Sequence, residues 1–158
     1  MQESLIQSFL RNELKDHSGR YFEDVLKSSD GELERSHDYI QWLFPLLVAS
    51  SSVSGAPKIS KAEIEAIKQD TLAIRNLIRA KDRMLEFYGR SNQWLVPHDH
   101  NHLRITRIIR SLFLLVDRDE AQDFLEAIMD IVVRAGRPVS RKNIQYWLDA
   151  ADAKPLER

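Results

Sequence analysis

The sequence predicts an all-α fold, a bundle of about six or seven helices. Three observations carry this prediction. Apolar residues return every three or four positions over most of the chain, the spacing of one helix face. Cap residues such as Ser60 and Ser140 stand in front of such runs, where a side-chain oxygen accepts from an otherwise unpaired backbone N–H. No segment alternates apolar and polar residues as a half-buried strand does, and no Asn-Gly or Asp-Gly hairpin pair joins two strand-like runs.

Leu5, Phe9 and Leu14 mark a first helix ending near His17–Ser18–Gly19, where Gly19 can adopt the left-handed C′ conformation. "RYFEDVLKSS" is a short amphipathic piece stopped by Asp30–Gly31, a turn signal. "ELERSHDYIQWLF" reads as one helix that Pro45 ends. A loop over 46–59 follows, with a serine run, Gly55 and Pro57. Ser60 and Glu63 form the S-x-x-E capping pattern. The helix they start carries Ile64, Ile67, Ile74, Leu77, Ile78 and Leu85, runs about 28 residues, and stops at Gly89.

After "RSNQWLVPHDH" a helix begins around Asn101, with Asp99 or Asn101 as its cap and His98 outside it. Ile105, Ile108, Ile109, Leu112 and Val116 share one side, while Arg104, Arg107, Ser111 and Arg118 share the other. "DEAQDFLEAIMDIVVRAG" is a further helix, acidic in its first turn as the macrodipole favours and closed by Gly136. Pro138 breaks the chain, and "RKNIQYWLDAA" makes a last helix burying Ile144, Trp147 and Leu148.

The length of 158 residues fits one domain over 1–158. Lys+Arg is 23 against Asp+Glu 24, so nucleic-acid binding through overall charge is not favoured and no nucleic-acid partner is expected. The absence of cysteine removes disulfides, thiolate nucleophiles and cysteine-based zinc sites. "MQESLIQSFLRNEL" has no apolar core of a secretory signal, and no apolar run reaches ~18–20 residues. A soluble, cytoplasmic protein is the expectation.

Three of the five histidines, His98, His100 and His102, fall within "HDHNH". Imidazoles four apart share a helix face and can chelate zinc or nickel, but Pro97 places His98 before the helix, and the glutamate of H-E-x-x-H is missing. Capping and loop packing is the favoured reading, and no metal or cofactor is expected. Arg104 and Arg107, one turn apart near a helix start, can hold a phosphate or carboxylate, or lie solvated on a polar face. In "SHDYIQWLFP", Tyr39 and Trp42 lie three apart and suit either an aromatic-containing peptide or the core. No G-x-S-x-G elbow or Gly-rich phosphate loop appears among the five glycines, so catalysis is not expected.

The blocks "HDYIQWLFP" (37–45), "LEFYG" (85–89) and "HNHLRITRIIRSL" (100–112), in this order, resemble the conserved region of the opioid growth factor receptor family, over about residues 18–150. The resemblance implies an all-α domain with a long loop after Pro45. It implies a receptor role for a short opioid peptide, with animal members at the nucleus and its envelope. Short members of the kind this chain resembles also occur in bacteria. Peripheral membrane association stays open by the same analogy.

The reading that follows is a non-enzymatic binding module for a peptide or small anionic ligand. The two polar-aromatic blocks are expected to become neighbours, with His37, Tyr39, Gln41, Trp42, His100, Asn101, Arg104 and Arg107 as ligand-binding residues. The alternatives are a metal-dependent hydrolase built on the 98–102 histidines, and buried polar ties that orient helices without a ligand.

Overall fold

The structure is a computed structural model, and it describes residues 4–47 and 59–152. The described residues are helical, without strands, and the chain divides into two compact units, Met1–Ala80 and Lys81–Arg158. The serine run, Gly55 and Pro57 of the expected loop lie outside the described residues.

The first unit holds α1 (Leu5–Leu10), α2 (Phe22–Leu26), α3 (Asp30–Arg35), α4 (Ile40–Leu43), α5 (Lys61–Lys68) and the start of α6 (Thr71–Arg90). α1 packs against α4 and α5. Its core is aromatic: Phe9 meets Phe22 and Trp42 edge-on, at 6.1 and 5.4 Å between ring centres. The first helix is shorter than the apolar pattern predicts. It ends at Leu10, and a turn around Asp16 takes over, with the carboxylate accepting from the N–H groups of Ser18 and Arg20. Gly19 closes that turn at φ +81°, a conformation a side chain would strain.

Two predicted helices are each cut in two, which turns seven into the nine found among the described residues. Residues 32–44 break because Ser36 is extended and the Tyr39 hydroxyl reaches back to the Leu33 carbonyl, folding its ring into the core. Asp30 and Gly31 do not stop α2; they open α3 behind the cap Ser29. The 60–88 helix starts with the expected Ser60–Glu63 capping box, then breaks at Gln69–Asp70. There the Asp70 carboxylate accepts from Ala73 N, Gln7 and Arg11, starting α6 and tying it to α1. Gly89 is an ordinary helical position, and α6 runs on to Arg90. Its end is closed by the buried Trp94 indole, which donates to the carbonyls of Tyr88 and Ser91.

In the second unit α7 (His100–Leu115) packs on α8 (Arg118–Arg134) and α9 (Arg141–Ala151), which also touch each other. Ile105, Ile108, Ile109 and Leu112 are fully buried, as their spacing predicts. Arg104 and Ser111 are buried too, so α7 has no wet polar face of the predicted kind. Gly136 adopts φ +85° after α8, as expected for C′. α9 buries Trp147, but Ile144 is only half-buried and Leu148 is 42% exposed, so its apolar stripe is narrower than its composition predicts. Among the described residues no helix is long and apolar enough to cross a membrane.

Candidate functional site

Asp99 is the cap of α7: its backbone is extended and its side chain accepts from Asn101 N at 3.0 Å. Ser140 caps α9, and its own N–H donates to the Pro97 carbonyl at 3.1 Å. The two helix starts are therefore tied together by backbone. Asn143 strengthens the tie, its amide donating to Pro97 O at 3.3 Å and to His102 Nδ1 at 2.8 Å. Between the two helices lies a cavity of about 390 Å³, lined by His98, Asp99, His100, His102, Leu103, Thr106, Asn143 and Tyr146.

The floor of this groove is paired internally. His102 Nε2 stands 2.8 Å from the Trp94 carbonyl, which can only accept, so the ring proton sits on Nε2 and Nδ1 accepts from Asn143. Its own carbonyl receives Thr106 Oγ1 and Trp147 Nε1. Burial pushes the His102 pKa below its ordinary 6.5, against the opposing pull of the Trp94 bond. Its lone pair is committed, and among the described residues His98, His100 and His102 do not gather three ligand atoms around one point. The hydrolase alternative built on this cluster thereby loses the ligand at its centre. The rim differs from the floor: His98, His100 and Leu103 are exposed and Tyr146 is half-buried.

Behind the groove, Asn101 is fully buried, its Oδ1 accepting from Tyr88 OH at 3.2 Å and Arg104 Nη1 at 3.3 Å. Its Nδ2 lies 3.5 Å from His100 Nε2. Arg107 is half-buried, and neither Arg104 nor Arg107 lines the groove.

The block 37–45 lies in the first unit. His37 is exposed. Tyr39 is 1% exposed with its hydroxyl on Leu33 O at 2.7 Å. Trp42 is buried, and its indole N–H donates to His17 Nδ1 at 2.8 Å, the two rings lying 18° from parallel. Asp38 collects Ser18 and Arg20, and Arg20 also holds Asp16. Burial alone would raise the Asp38 pKa; the bonds from Ser18 and Arg20 outweigh it and hold the carboxyl below its usual range. Among the described residues Gln41 Oε1 is buried without a partner, and nothing in their packing explains it.

The profile of the opioid growth factor receptor conserved region matches residues 2–93. The chain belongs to the opioid growth factor receptor conserved-region family. The mouse opioid growth factor receptor-like protein 1 is 39% identical over 114 residues, 60% of this chain and 24% of that protein. The opioid growth factor receptor of rat is 37% identical over 127 residues, and that of human 35%; each alignment covers 66% of this chain and 22% or 19% of the receptor. The chain thus spans about a fifth to a quarter of the length of the curated relatives it matches. No solved structure matches it.

The opioid growth factor receptor profile covers "HDYIQWLFP" and "LEFYG" and stops before His98, so the α7–α9 groove lies outside the matched residues. Of the residues expected to bind a ligand, His100 alone lines that groove. Leu103, Thr106, Asn143 and Tyr146 carry no sequence signal for a site. Asn143 is separated from His102 by 41 residues, and only the packing of α9 on α7 brings them together. His17 and Arg20 were equally silent, because their roles depend on Trp42 and Asp38 about twenty residues later.

Proposed function

We propose that the chain is a non-catalytic binding module of the receptor type, and that its ligand is a peptide. The observation that carries this reading is the α7–α9 groove. A floor with its hydrogen bonds satisfied lies beneath a rim of exposed His98, His100 and Leu103 and half-buried Tyr146. Such a surface offers aromatic and aliphatic area with a few polar handles, which is what an extended peptide needs and what a reacting centre does not. The names of the relatives, opioid growth factor receptors, support a peptide ligand. In this reading His100, exposed on the rim, is a contact residue. Tyr39, Gln41, Trp42, Asn101, Arg104 and Arg107 act mainly by holding helices and rim in place, because most of their surface is inside.

Titration calorimetry with a panel of short peptides and small anions tests it. An aromatic-containing peptide should bind, and Leu103→Asp or Tyr146→Ala should each weaken it by about tenfold while leaving the fold intact. Small anions should compete only weakly, since no arginine or lysine lines the groove. No heat with any peptide, or full affinity in both rim variants, ends the reading.

A further inference from the structure

We propose that the turn joining α8 to α9, from Arg134 to Lys142, is a docking surface for an acidic polypeptide segment. Four cations, Arg134, Arg137, Arg141 and Lys142, fall within nine residues that contain no acid, on a chain whose charges as a whole nearly cancel. All four are exposed. Arg134 is held by Asp130 one turn back, whereas Arg137, Arg141 and Lys142 make no ion pair among the described residues. The chain between them is fixed rather than loose. Arg137 N bonds Val132 O, Gly136 N bonds Val133 O, and Ser140 N bonds Pro97 O. Three cations are thus presented on a rigid turn, at the start of an 11-residue helix whose dipole adds to the positive potential.

The number of cations selects the partner. Nucleic-acid binders neutralise on the order of 6–10 phosphates, more than this surface can meet. A short run of Glu and Asp residues needs only a few cations, and Val133, 45% exposed beside Arg134, supplies apolar contact that a polypeptide can use. The surface stands independently of the peptide groove between α7 and α9, whose lining it does not share.

The test uses the full chain and a fluorescent twelve-residue glutamate-rich peptide, followed by anisotropy. Binding is expected at about 20 mM salt and should be largely lost by about 200 mM, as screening of exposed charges requires. The combined variant Arg137→Glu/Arg141→Glu/Lys142→Glu should lose about tenfold or more in affinity. Its fold should survive, because acids in the first turn of α9 suit the helix dipole. Reversing Lys27, Lys61 and Arg75, exposed cations elsewhere, should change nothing, and Leu103→Asp should leave this binding intact even where it weakens binding in the groove. The proposal is overturned if the acidic peptide fails to bind at low salt, if the patch and control reversals lose equally, or if duplex DNA or anionic vesicles bind more tightly than the peptide.

Discussion

His98, His100 and His102 stand within five residues, yet only His102 lies where water has been excluded. The difference comes from the helix start: Asp99 caps α7, which leaves His98 outside and turns His102 down onto Trp147 and Asn143. A buried imidazole with a carbonyl on one nitrogen and an amide N–H on the other is held neutral. The ring should therefore carry its proton on Nε2 at pH 7, visible in the ring-nitrogen shifts. The consequence for stability has a definite sign. The unfolded imidazole takes up a proton near 6.5, and the native one only at lower pH. Stability is intact above that value and falls as pH drops below it. Asn143→Ala should lower stability by about 1 kcal/mol at pH 7, since it leaves the Nδ1 acceptor without its donor. Urea denaturation at pH 7.5 and 5.5 checks both statements; equal stability at the two pH values would contradict the first.

At the scale of elements, side chains that cap are as informative as those that pack. Asp70 interrupts an apolar repeat that otherwise reads as one long helix, because its carboxylate starts α6 and also receives Gln7 and Arg11. Asp70→Asn keeps the shape but gives up the charge-assisted bonds, and should cost about 1–2 kcal/mol in denaturation experiments. A neutral outcome would mean that packing alone sets the break between α5 and α6. The same comparison shows what a linear sequence discloses. Ser60–Glu63, Asp99, Ser140 and Gly136 act locally, within three residues of their partners, and each is found where its pattern places it. Asp70 and Tyr39 escape the periodic pattern for the opposite reason. Tyr39 bends back to Leu33 across a break that periodicity bridges, and Asp70 owes its bonds to residues about sixty positions away. Arg104 reads as a wet residue on a helical wheel, yet it is buried, its Nη1 donating to Asn101 Oδ1 one turn back. The family motif was legible because its letters are local. The groove was not, because Asn143 and Tyr146 of its wall come from α9, which carries no motif.

Across the whole chain, the groups whose protonation couples to folding are divided between the two units. Glu23, Asp38 and Asp70, all in the first unit, are held below their usual carboxylate range. For Glu23 the Arg79 bond is the largest cause; for Asp38 and Asp70 the hydrogen bonds overcome an opposing cost of burial. A depressed carboxylate contributes stability above its unfolded value, near pH 4, and loses it only as pH falls through the lower native value. His102, in the second unit, acts in the same sense but at higher pH: its contribution is complete above about pH 6.5 and erodes below it. Acid should therefore weaken the molecule in two steps. Hydrogen exchange, corrected for its intrinsic pH dependence, should show α7 and α9 losing protection between pH 7 and 5 while α1 and α5 hold. The first-unit helices should follow only below about pH 4. In His102→Gln the first step should shrink and the second remain. Loss of protection in α1 and α5 before α7 and α9 would show that some group other than His102 and these carboxylates governs how the fold responds to acid.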